Sequence, residues 1–244
     1  MRTHVNHAQT YQLVPATSRP IPESKITALL DQEWARFKET TPASGAESAL
    51  AKNVLPLGVP SSFQHWDPHP LSIKSAKGAW VTDVDNRELL DLSMGFGAML
   101  AGHLNPTVVA ELKATLDVGT LYVTPSPDSR DAAERICRRF HLDMVRFTNS
   151  GTESTMYATR LARAYTGKSG VVKIEGGYHG SFDPLMTSAK PSLDAAGDPN
   201  NPNAVIAPGT VPGDVFVVPY NNADALERVF MKHYKEIACL VMEP

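Results

Sequence analysis

Cysteine is nearly absent from this 244-residue chain: Cys137 and Cys239 are the only two, and they lie far apart. That excludes a disulfide-stapled scaffold, and two thiols in a chain of this size point to a reducing compartment. No run of eighteen apolar residues occurs, which argues against a membrane-spanning helix. An excess of one charge is missing too. With 23 Lys+Arg against 26 Asp+Glu the formal net charge is −3, so no global field draws the chain to nucleic acid or anionic lipid. Residues 1–18 lack the apolar core of a secretion signal, and the cytoplasm is the expected location. No internal repeat is found. What is present is an ordinary globular composition, 42% hydrophobic and 20% charged. The length suffices for one large domain or a domain with a smaller lobe.

Proline and hydrophobic spacing divide the chain. Residues 1–22, with Pro15, Pro20 and Pro22, read as an extended arm. Ile26, Leu29, Leu30, Trp34 and Phe37 then recur at helical spacing. A small and polar segment without evident structure runs to about Asn53, followed by turns at Pro56, Pro60, Pro68 and Pro70. Short strands are expected over 71–74, 79–83 and 89–92, with turn chemistry at Asp85-Asn86, giving a small antiparallel meander. From residue 101 the rhythm changes. Asn105-Pro106 caps a helix, and a second begins near Asp128. Strands over 144–148, 171–175, 215–219 and 237–242 alternate with helices over 151–165 and 222–234. This pattern predicts an α/β domain with a mostly parallel sheet covered on both faces. Residues 190–213, rich in Pro, Gly, Asn and Ala, read as a long exposed loop that could gate a site. The expected division is therefore an arm (1–22), a helix with a small antiparallel lobe (23–100), and an α/β domain (101–244). The sequence ends one residue beyond Glu243, directly after an expected strand, and truncation is the expectation that follows.

Two segments carry chemistry. In Arg146-Phe147-Thr148-Asn149-Ser150-Gly151-Thr152-Glu153 a strand is expected to run into a Ser-Gly-Thr turn that opens a helix. Unpaired amides and partial positive charge at a helix start favour phosphate. Ser150 and Thr152 add hydroxyls, and Gly151 admits a close approach. Asn149 or Ser150 acting only as a cap is the competing explanation. In Glu175-Gly176-Gly177-Tyr178-His179-Gly180, again just past a strand, Tyr178 between glycines suits stacking on a flat heterocycle; a surface-packed tyrosine is the alternative. Both segments are expected at carboxyl ends of strands, where open α/β sheets bind ligands. His65 and His69 flank Trp66-Asp67-Pro68, but Pro68 opposes the helix that a metal pair would need, and no metal site is expected. His103 reads as a structural histidine.

Together these segments resemble class III aminotransferases, within the branch of glutamate-1-semialdehyde aminomutase and the β-amino-acid and D-phenylglycine aminotransferases. The resemblance rests on Asn149-Ser150-Gly151-Thr152-Glu153, Leu161-Ala162-Arg163, Tyr165-Thr166-Gly167 and Gly177-Tyr178-His179-Gly180. It extends to Gly78-Ala79-Trp80, Asp83-Val84-Asp85, Gly102-His103-Leu104-Asn105-Pro106, Val218-Pro219-Tyr220-Asn221 and Val241-Met242-Glu243-Pro244. Ser154, Tyr157 and Ser181-Phe182-Asp183 depart from the aminomutase pattern. The resemblance implies the pyridoxal 5'-phosphate (PLP)-dependent transferase fold type I, with an N-terminal lobe and an incomplete large domain. It implies that Ser150, Gly151 and Thr152 hold the cofactor phosphate, that Tyr178 stacks on the ring with His179 supporting the turn, and that Ser93 and Gly95 lie near the substrate.

The lysine that forms a Schiff base with PLP and the aspartate that pairs the pyridine nitrogen fall, in this family, beyond the last residue. No catalytic residue is therefore assigned, and Lys168 and Lys173 match neither position. The expected activity of the intact protein is transamination between an amino acid or amine and a keto acceptor, by a homodimer. Intramolecular aminomutase chemistry and a non-catalytic fragment of the same fold are the alternatives.

Overall fold

The computed structural model describes residues 21–191, 208–211 and 213–243. Most of the expected arm and of the 190–213 loop lies outside these residues. One compact unit ends at Val123 and the other begins at Thr124.

The first unit opens with α1 (Glu23–Thr40), started by Pro22, and none of its side chains is fully buried. A second helix, α2 (Pro42–Ala51), forms where the sequence reading saw no element. Its proline stands in the first turn, where a missing N–H costs nothing. The remaining amides of that turn are satisfied from far away. The Asp85 carboxylate accepts from Ala43 N at 2.7 Å, Ser44 N at 3.0 Å and Ser44 Oγ at 2.7 Å. The strands β1 (Ile73–Lys77), β2 (Trp80–Asp83) and β3 (Glu88–Leu90) make the antiparallel meander, with Lys77 opposite Trp80 and Trp80 opposite Leu90. Its closing turn is pinned by Asp83, fully buried, which accepts from Arg87 N at 2.9 Å and Arg87 Nε at 2.8 Å. Helix α3 (Pro106–Leu116) starts at Asn105, whose side chain accepts from Thr107 N and Val108 N.

The second unit contains α4 (Pro127–Phe140), α5 (Gly151–Thr166), β4 (Gly170–Ile174), the short α6 (Asp183–Met186), β5 (Val215–Val218), α7 (Ala223–His233) and β6 (Ile237–Val241). The strand order is β5-β4-β6, and both pairings are parallel. β4 is the central strand. Val172 of β4, Val218 and Ile237 form a buried cluster, with Ile174, Phe216, Leu226, Val229 and Leu240 packed against it. Each fully buried valine contributes about 1.5–3 kcal/mol. Because strand side chains alternate, Val171 and Lys173 point to the opposite face. The expected strand over 144–148 does not form. Both edges of β4 are taken by β5 and β6, and 144–148 has no ladder partner among the described residues. An apolar run without a neighbouring strand stays irregular.

Candidate functional site

The site is built at the junction of α5 with the turn that follows β4, inside the second unit. Ser150 is the N-cap of α5, with extended backbone, and its Oγ accepts from Glu153 N at 3.1 Å. Glu153 reaches back so that its carboxylate accepts from Asn149 N at 2.6 Å. This variant of a capping box consumes the amides of Asn149 and Glu153. It leaves the first helical amides, Gly151 and Thr152, without intrahelical acceptors. The Ser150 hydroxyl hydrogen also stays available, since its oxygen is the acceptor in the cap. A Cβ built on Gly151 would meet nothing within 4 Å, so this glycine borders open space and is not demanded by packing.

The second segment is hydrogen-bonded to the first. Ser181 N donates to Thr152 Oγ1 at 3.1 Å, and Thr155 Oγ1 donates to the His179 carbonyl at 2.8 Å. Gly180 sits against the helix start with φ +88°, and a Cβ there would lie 2.4 Å from Thr152 Oγ1 and 2.7 Å from Thr152 Cα. Only glycine can occupy this position: a side chain would be strained at that φ and would collide with backbone. Tyr178, two residues earlier, leaves 60% of its surface exposed. The helix start and the Tyr-His-Gly turn are thus one structure, with free amides, hydroxyls and an exposed ring.

Behind Tyr178 the turn is more enclosed. The Nε2 of His179 is buried without a hydrogen-bond partner among the described residues. Its pKa is pushed down by burial and by the nearby Lys173, against an upward pull from Glu243. A neutral imidazole with an orphaned nitrogen supports a hydrogen bond to a further group. Lys173 itself has no exposed surface. Sequence reading passed over it because it does not match the family's cofactor lysine; the available signal was a charge inside the apolar run of β4.

Ser93 and Gly95 belong to the first unit. Asp91 holds the start of their loop by accepting from Ser93 N at 3.0 Å and Met94 N at 2.8 Å, while its other oxygen pairs with His103 Nε2 at 2.7 Å. The His103 bond, followed by the Met94 amide, keeps the Asp91 carboxyl below its ordinary value. His103 is accordingly a structural partner. Met94, Gly95, Phe96 and Gly97 all have positive φ, a strained turn for the two residues that carry side chains. His69, one of the two histidines weighed for a metal, bonds Thr41 Oγ1 at 2.9 Å and packs on Phe37.

The model of the family described as Aminotransferase class-III matches residues 62–244. A curated glutamate-1-semialdehyde 2,1-aminomutase of Methanocorpusculum labreanum is 40% identical over 195 residues, covering 80% of this chain and 46% of the relative. Among solved structures, a β-phenylalanine aminotransferase from Variovorax paradoxus superposes with TM-score 0.78 at 29% identity, over 90% of this chain and 47% of that one. A transaminase with PLP bound superposes with TM-score 0.73 at 32% identity, over 84% and 47%. The chain spans about half the length of the curated relatives it matches.

Proposed function

This chain belongs to the aminotransferase class-III family, and on that footing we propose that the intact protein is a PLP-dependent enzyme that moves an amino group from an amino acid or amine to a carbonyl acceptor. Its fold is that of the PLP-dependent transferases of fold type I. The observation that carries the reading is the bonded junction of the α5 start with the Tyr178 turn. The donor set fits a phosphate. Gly151 and Thr152 offer amides, Ser150 and Thr152 offer hydroxyls, and the helix end adds partial positive charge. The open space beside Gly151 leaves room for the anion.

When bound, PLP supplies the electron sink that makes the bonds at the amine carbon labile. The chain's residues bind and orient. Ser150, Gly151 and Thr152 grip the phosphate and fix the position of the ring. The Tyr178 ring covers one face of the heterocycle. His179 holds the turn, its ring lying against Gly177. The lysine that carries the cofactor covalently and the acid that pairs its ring nitrogen are, on this reading, not among the 244 residues. Ser93 and Gly95 take the substrate side, a role their strained turn supports.

The reading includes a homodimer in a reducing, cytoplasmic compartment. Leu92, Leu100, Leu121 and Val123 each leave more than four-fifths of their surface exposed, which supports a partner surface. Cys137 and Cys239 are free thiols. Among the described residues no helix is long and apolar enough to cross a membrane.

A second reading, intramolecular transfer of the aminomutase kind, is favoured by the 40% identity to a glutamate-1-semialdehyde 2,1-aminomutase. One assay separates the two. Full-length protein with PLP is given a labelled amino donor and a separate keto acceptor. Label in a new amine on the acceptor supports the aminotransferase. Transfer confined to one molecule of an amino aldehyde supports the aminomutase. Failure to bind PLP contradicts both.

A further inference from the structure

Lys173 lies mid-strand in β4, beside Val217 of β5 and Val241 of β6, with Val171 and Val172 before it in the strand. Of these four neighbours Val171, Val172 and Val217 are buried and Val241 is partly buried, and Lys173 has no exposed surface at all. An amine in such a place has to be given partners by the fold. Its Nζ donates to the carbonyls of Ile174 and Ser188, each at 3.3 Å. The same two carbonyls serve the glycine turn: Gly177 N donates to the Ile174 carbonyl at 3.2 Å and Gly176 N to the Ser188 carbonyl at 2.9 Å. One side chain and two consecutive backbone amides therefore share one pair of acceptors. Ser188 is itself fully buried and left-handed, with φ 52°, a conformation that persists only where the surroundings hold it.

We propose that Lys173 is a positioning residue that locks the Gly176–Gly177 turn, and through it the Tyr178 ring, by gripping the carbonyls of Ile174 and Ser188. The relevance of that ring to a cofactor rests on the function proposed above; the locking of the turn does not. A valine would fill the same strand position without desolvating a charge, so the retained amine has a directional task. Burial lowers its pKa to about 8 against the opposing Glu175 carboxylate, so it remains mostly charged at neutral pH.

The test compares wild type, K173M, K173Q and K173R in the full-length protein, with and without PLP. Three quantities are read: amide exchange of the 175–180 segment, PLP affinity, and thermal midpoint. For K173M, loss of a charged donor is expected to speed exchange in 175–180 by about tenfold or more and to weaken PLP by a similar factor. The thermal midpoint stays level or rises, because a buried charge is gone. K173R restores affinity and exchange toward wild type. If K173M does not fold, K173Q, which keeps a neutral donor, shows the same local loss more weakly. Wild-type exchange and affinity in K173M overturn the proposal. So does exchange that quickens equally in 175–180 and in α4, with a lowered midpoint, which marks a purely structural lysine. Should wild type bind no PLP, the functional reading falls, while exchange of the cofactor-free protein still decides the role of Lys173.

Discussion

Two helix starts in this molecule face the same electrostatic problem and answer it differently. At α2 the amides of the first turn are filled from within, by the Asp85 carboxylate bound to Ala43 N, Ser44 N and Ser44 Oγ. At α5 the local caps Ser150 and Glu153 take only the flanking amides. The Gly151 and Thr152 amides stay open, beside space that a Cβ would not fill. On the function proposed above, the filled end at α2 is structural and the open end at α5 is the one that receives the phosphate. The difference lies in what the neighbouring turn contributes. Asp85 comes from the β2–β3 turn, whereas the turn against α5 brings Gly180 and the exposed ring of Tyr178.

The most damaging change should be G180A. Its methyl group would collide with Thr152 backbone and sit at a left-handed φ, destabilising the second unit by about 3 kcal/mol. PLP binding is expected to be lost, measured by denaturant unfolding and by absorbance titration. Next is G151D, which gives α5 the internal anion that α2 already has. Because no atom lies within 4 Å of the new Cβ, folding should gain about 0.3–1 kcal/mol from the helix dipole. PLP affinity should fall by about a hundredfold or more, since carboxylate and phosphate compete for one site. D85A makes the reverse comparison. It empties the α2 start, lowers the thermal midpoint by a few degrees and leaves PLP affinity unchanged.

The comparison also has a pH signature. Burial raises the Asp85 carboxyl pKa, but bonds from Ser44 and the Ala43 and Ser44 amides outweigh it and hold the pKa below 3.8. Its stabilisation is therefore present above that value and lost as pH falls through the lowered one. Lys173 has the same sign in a more alkaline window, where the protonated form is again the one that folding disfavours. Between about 8 and 10.5 the unfolded chain binds the proton that the folded chain has released, so stability rises with pH across that window. Glu175 and His179 are the charged and titratable neighbours that face it. In K173M this rise should flatten, the smallest of the expected effects, visible in thermal midpoints measured between pH 7 and 10.

What was legible in the sequence was what is local. Asn105, Ser150 and Asn222 each cap a helix through an amide two or three residues on, and a short window of sequence contains both partners. The parallel strands β4, β5 and β6 were readable as apolar runs between helices. Helix α2 was missed because its anion lies 41 or 42 residues away, so the small, polar 42–51 segment carried no visible cap. The 144–148 segment was overread because apolar residues favour a strand only when another strand lies alongside. Lys173 was set aside because it matches no lysine position of the family; its bond to the Ser188 carbonyl, 15 residues away, is a contact that no motif spells out. Ser150, Gly151, Thr152, Tyr178 and His179 were recognisable as residue types, but their union at Gly180 is a property of the fold.

Titrating the full-length protein with PLP and with pyridoxal, which lacks the phosphate, tests the central claim most directly. If the amides of Gly151 and Thr152 are the phosphate grip, wild type binds PLP about a hundredfold or more tightly than pyridoxal, and G151D binds the two alike. Equal binding of both by wild type, or an undiminished preference in G151D, would contradict it.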